Sequence, residues 1–119
     1  MPTKAEHISK AELNEAFADT VSRTSYLDWA VTVLYYAALH YVDSVLAVSG
    51  EHPTKHKDRH PLIRTNATLR TIHGEYRTLE TLSWNARYGA MAIKPEDWKQ
   101  AQDEFGPLRA HIRRHLGFK

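Results

Sequence analysis

The run from Tyr26 to Val48 constrains this chain more than any other stretch. It is apolar on nearly every side, with Trp29, Val33, Tyr36, Ala37, His40, Tyr41, Ser44 and Val45 on one broad stripe at helical spacing. Ser25-x-x-Asp28 has the form of a capping box at its start, and Gly50 stops it. About 24 residues at ~1.5 Å rise make a helix of roughly 36 Å, enough to run through the centre of a small domain. Asp28 and Asp43 bracket fourteen uncharged residues, short of the ~20 that a bilayer span requires. A buried central helix is therefore expected, with no membrane as partner. A helix apolar all round in so short a chain also predicts that another subunit covers one of its faces.

Shorter helices follow from the punctuation around it. Ser9-Lys10-Ala11-Glu12 is a second capping box, and Leu13, Ala16, Phe17, Thr20 and Val21 behind it predict an amphipathic helix over 10–23. Residues 51–61 form a polar, Pro-bounded connection, and Pro61 suits the first turn of a third helix over 60–73, ending near Gly74. A fourth is expected from Glu75 to Tyr88, with Tyr76, Leu79, Leu82 and Ala86 inward and Gly89 at its end. Pro95, Glu96 and Asp97 open a fifth, which Gly106-Pro107 should bend or break. A length of 119 residues leaves no room for a second core. The expectation is thus one all-α domain over residues 1–119, a four- or five-helix up-down bundle around a long buried central helix. Trp29, Val33, Tyr36, Ala37 and Val45 should be largely buried.

What the chain lacks excludes several chemistries. Without Cys there is no disulfide framework, thiolate metal site or Cys nucleophile, and a reducing, cytoplasmic setting is expected. Met1 to Lys10 carries no apolar signal-peptide core. No Gly-rich phosphate loop, G-x-S-x-G or H-E-x-x-H occurs. Charge is uneven: residues 1–51 hold three Lys/Arg against seven Asp/Glu, and residues 52–119 hold thirteen against seven. The densest basic stretch, 52–77, makes Lys55, Lys57, Arg59, Arg64 and Arg70 candidate nucleic-acid contacts. The alternative is a solvated basic face, since no aromatics interleave with these cations. Trp84, Arg87 and Tyr88 either line a partner groove or simply pack. His52, His56 and His60 recur every four residues, as in some zinc sites, but Pro53 and Pro61 argue for a loop. No metal or cofactor is expected. His40 reads as a core histidine satisfied by Asp43 or Asp28.

Two separated stretches carry a resemblance. Tyr35-Tyr36-Ala37-Ala38-Leu39-His40, within Trp29 to His56 and followed by Gly50, Pro53 and His56, resembles the signature of small prokaryotic HEPN-domain proteins. Ala86-Arg87-Tyr88-Gly89, then Pro95-Glu96 and a last helix, is similar to the end of the same proteins. The resemblance covers residues 10–116. It implies a helical bundle, usually a homodimer, often encoded beside a minimal nucleotidyltransferase and in several cases forming a toxin–antitoxin pair. Active members are metal-independent endoribonucleases with Arg-x(4–6)-His, two copies of which meet across the dimer cleft. Here that spacing selects Arg109 and His115 as the catalytic pair, with Ala110 where the pattern has a polar residue. In such chemistry His takes the 2′-OH proton and Arg stabilises the charged phosphorane. Six residues of helix turn by about 600°, so the two do not share a face within one chain. The bland reading makes Arg113, Arg114 and His115 cations that complement the last helical turn. Three functions stand at this point. One is a non-catalytic homodimeric HEPN module that works with a nucleotidyltransferase-type partner or binds RNA. The others are an endoribonuclease toxin and a helical interaction protein with no nucleic-acid role.

Overall fold

Thr3 rather than Ser9 starts the first helix. In the computed structural model, which describes residues 1–117, the Thr3 hydroxyl accepts from the Glu6 amide and the Glu6 carboxylate accepts from the Thr3 amide. That box lies upstream of the expected one, and nothing between breaks the helix. α1 therefore runs Lys4–Val21 with Ser9 inside it. α2 spans Leu27–Val48. Its start also differs from expectation: Ser25 caps nothing, and Asp28 instead accepts from the Trp29 amide next to it.

α3 is His56–Thr65, a 3-10 turn covers Arg70–Ile72, α4 is His73–Tyr88 and α5 is Pro95–His115. The expected 60–73 helix is thus split and shifted. The Asn66 side chain accepts from the amides of Thr68 and Leu69 at 2.9 and 3.1 Å, competing with the helical ladder and ending α3. His73 and Gly74 open α4 instead of closing α3. α4 ends as the backbone turns extended at Gly89, where only glycine fits, since a Cβ there would lie 2.5 Å from the Asn85 carbonyl oxygen. The break expected at Gly106-Pro107 does not occur; α5 continues through it, and Leu108 and Ile112 beyond the proline are fully buried. Five helices and no strand appear among the described residues.

The architecture is a bundle around α2. α1 packs along α2, while α4 and α5 pack on α2 and on each other. Ala30, Val31, Leu34, Tyr35, Ala38, Val42 and Leu46 are buried as well as Ala37, Tyr41, Ser44 and Val45. With neighbours on three sides, the least covered strip of α2 is the one holding Trp29, Val33 and Tyr36. Trp29, expected in the core, is 57% exposed, and Val33 and Tyr36 are half-buried. By length and composition α2 also passes as a membrane span, yet 72% of its most apolar window is buried by the rest of the chain.

One buried charge pair joins α2 to α3. Arg59 donates from Nε and Nη2 to the two Asp43 oxygens at 2.8 and 3.0 Å, and Nη2 also reaches the Pro53 carbonyl at 3.1 Å. Both side chains are at least 93% buried. Removing one partner strands the other charge, so Asp43→Ala should lower stability by about 3–5 kcal/mol in urea unfolding. Replacing both, as Asp43→Leu/Arg59→Met, should recover most of that loss. Equal destabilisation by the single and double variants would show that packing, not the stranded charge, sets the cost.

Candidate functional site

The two stretches that carry the resemblance meet in space. Tyr35 on α2 places its hydroxyl 3.0 Å from His56 Nδ1 on α3, and 3.1 and 3.3 Å from Tyr76 and Glu80 on α4. Arg87 of α4 donates to the Tyr36 hydroxyl at 3.2 Å, and its guanidinium lies over the Tyr36 and Tyr88 rings. Trp84 stands beside Tyr88, ring centroids 5.4 Å apart, and is 56% exposed. Tyr35, His56, His60, Glu80, Thr81, Trp84 and Arg87 line a groove of about 430 Å³.

Beneath it lies a polar layer. Glu80 accepts from His60 Nε2 at 2.8 Å, and His60 Nδ1 lies 3.0 Å from His73 Nε2. Burial pushes the Tyr35 hydroxyl far above the ordinary tyrosine range and the Tyr76 hydroxyl up to about 12, so both remain neutral hydrogen-bonding groups. Burial also lowers the His56 and His73 pKa values, helped by Arg59 at the first and by His60, Arg77 and Arg64 at the second. A second cavity of about 560 Å³, lined by His60, Arg64, His73, Arg77, Glu80 and Thr81, adjoins the groove and shares His60, Glu80 and Thr81 with it.

The residues selected from sequence fare unequally. Lys55, Lys57, Arg64 and Arg70 are exposed, but Arg59 is 4% exposed and committed to Asp43, so it cannot take a phosphate. Its charge is internal because Asp43 on the covered side of α2 faces it. The sequence order interleaves no aromatics with the basic stretch; the fold supplies them by bringing Trp84 alongside. The signal was present on α4, where Arg77, Thr81 and Trp84 are spaced i, i+4 and i+7 and share a face. His56 and His60 come together across Glu80, on helix rather than loop. Among the described residues no group of three or more His, Asp or Glu is arranged to hold a metal ion.

Arg109 and His115 point to different neighbours. Arg109 pairs with Glu15 on α1. The two ring nitrogens of His115 lie 3.1 and 3.3 Å from the Thr68 hydroxyl on the far side of α5. His111 also turns to that segment, 2.7 Å from the Thr68 carbonyl. His40, the expected core histidine, meets His7 at 3.1 Å rather than Asp28 or Asp43. Burial holds both rings below the ordinary imidazole range, with Asp43 opposing and Arg59 adding to the depression.

Comparison with protein families gives a match to the HEPN-domain model over residues 5–106, which contains every residue of the groove and stops short of Arg109 and His115. No curated protein and no solved structure matches the chain.

Four histidines with lowered pKa values fix the sign of the acid response. An unfolded histidine titrates near 6.5, whereas His7, His40, His56 and His73 resist protonation when folded. Below roughly pH 6.5 the unfolded chain therefore binds more protons, and stability falls. The melting temperature should be flat above about pH 7 and decline on acidification. His40→Gln should make that decline shallower. A melting temperature that holds or rises between neutrality and about pH 5 would mean that these rings are not held neutral.

Proposed function

Because this chain belongs to the HEPN-domain family, we propose that it acts as an RNA-binding HEPN module that does not itself cleave RNA. One observation carries the binding half: cations and an exposed aromatic line a continuous concave surface. Arg64 and Arg77 stand at one end and Trp84 with Arg87 at the other. Single-stranded nucleic acid needs that combination, a basic track for phosphates and a ring on which a base stacks. Lys55, Lys57 and Arg70 extend the basic track, and Arg59 does not take part. The negative half rests on Arg109 and His115. They face opposite flanks of α5, and recruiting Arg109 for catalysis requires breaking its contact with Glu15.

A second reading has its own support. Phe17, Tyr26, Trp29 and Tyr88 are all more than half exposed, and exposed apolar surface of this kind marks a protein interface. In this reading the module is a homodimer, and the nucleotidyltransferase-type protein implied by the family resemblance is its partner. Light scattering at high protein concentration tests the dimer, and a mass of 13.7 kDa would remove it.

The test of the first reading is a single incubation series. Purified protein is mixed with single-stranded RNA in EDTA beside an Arg109→Ala/His115→Ala variant. Binding without cleavage is expected from both. Four or five phosphate contacts should give a log–log salt slope of roughly −3, with little sequence preference. Cleavage by the wild type alone would overturn the non-catalytic reading in favour of the endoribonuclease. Absence of binding at low salt would overturn the RNA reading and leave the protein partner.

A further inference from the structure

Arg64 and Arg77 are charges that no contact within the described residues explains. Both are exposed, both line the 560 Å³ cavity, and neither has a carboxylate partner among the described residues. By contrast Arg23, Arg59, Arg109 and Arg113 each face an acid. Two unpaired guanidinium groups beside His73, with the Thr81 hydroxyl on the same wall, make a site of concentrated positive charge. The one acid there, Glu80, is already held by His60 and Tyr35.

We propose that this cavity seats a terminal phosphate monoester of a single strand, with the adjoining base on Trp84. The inference rests on the RNA-binding reading and assigns its ligand. Charge separates a strand end from the strand interior. An internal phosphodiester carries one negative charge, which one arginine balances, whereas a terminal monoester carries close to two at neutral pH. Two forked donors and an imidazole converging on one pocket match the dianion. Length separates it from a bare phosphate site. Arg77 and Trp84 share a face of α4 seven residues apart, so about 10 Å of helix separates them. That is about the span from a terminal phosphate through its sugar to the far edge of its base. The shared residues His60, Glu80 and Thr81 make the path between the two cavities continuous.

His73 gives the site a proton-linked component. Its neighbours are His60 and Arg64 on α3 and Arg77 and Glu80 on α4, and three of those four keep the free ring neutral. A bound dianion favours the charged ring, so binding at this site is coupled to proton uptake at His73.

The experiment compares fluorescein-labelled oligouridylates that end in a 5′-phosphate, a 3′-phosphate or hydroxyls only, with uridine 5′-monophosphate as free competitor. One phosphorylated end should bind about tenfold more tightly than the hydroxyl-ended strand. Arg64→Ala/Arg77→Ala should collapse that ratio to near one. Lys55→Ala/Lys57→Ala should weaken all strands and keep the ratio. Unchanged melting temperatures in both double variants confirm folded protein. Equal affinity for phosphorylated and hydroxyl ends would overturn the end-recognition proposal while leaving RNA binding intact. Failure of every strand to bind would overturn the RNA reading. In that case, saturable binding of the monophosphate, lost in Arg64→Ala/Arg77→Ala, would support the phosphate pocket with a free mononucleotide as its ligand.

Discussion

The Asp43–Arg59 ion pair is the constraint on which the site depends. α3 is a ten-residue helix with Pro61 in its interior, and only Arg59 and Ile63 of it are buried. Its backbone barely meets α2 or α4, so side-chain anchors hold it. A single apolar anchor such as Ile63 fixes where a helix lies but leaves its rotation loose. The guanidinium fork does both, because Nε and Nη2 each meet a different oxygen of a carboxylate that is itself fixed in the central helix. With the rotation set, His56, His60 and Arg64, four residues apart, turn together towards α4. The third donor contact, to the Pro53 carbonyl, extends the same constraint to the loop before α3.

Desolvation explains why the layer next to that pair contains so many neutral polar groups. These groups lie in a buried layer and lose their hydration if they ionise. Tyr35, Tyr76, His56 and His73 are all shifted towards the neutral form, with burial the largest cause in each case. One chain of contacts runs from His73 through His60, Glu80 and Tyr35 to His56. Such a chain holds the floor of the groove rigid and places the exposed charges at its rim. The free cations Arg64 and Arg77 then face solvent from a stiff support.

Helix existence was legible in the sequence because apolar periodicity over ten or more residues is a strong signal. The boundaries were not, and each error has a local cause. Thr3 and Asn66 act through short-range side-chain contacts whose competitors, Ser9 and Pro61, look equally good on paper. Gly106-Pro107 reads as a break, yet loss of one N–H is tolerated where Phe105, Leu108 and Ile112 anchor the helix on both sides. Trp29 was misplaced for a different reason. When a helix is apolar all round, periodicity cannot say which strip faces out; only the positions of α1, α4 and α5 decide it. The basic stretch was read correctly as exposed except at Arg59, whose partner lies sixteen residues upstream, beyond any local pattern. The convergence of Tyr36 with Arg87 is longer still in sequence and needed the packing of α4 on α2.

The last two helices use several of their arginines in two chemically different ways. On α5, Arg109 and Arg113 reach across to Glu15 and Glu12 of α1. Those contacts bridge two helices that both rest on α2 but scarcely touch each other. On α4, Arg77 makes no ion pair among the described residues, and Arg87 lies on aromatic faces rather than carboxylates. A guanidinium over a ring keeps most of its hydrogen-bond donors free, whereas one in an ion pair must give up its partner before it can bind an anion. Any ligand with negative charge therefore meets less competition at Arg77 and Arg87 than at Arg109. A second protomer does not alter that ordering, because bringing another Arg109 and His115 into a shared cleft leaves each Glu15 still competing for its own arginine.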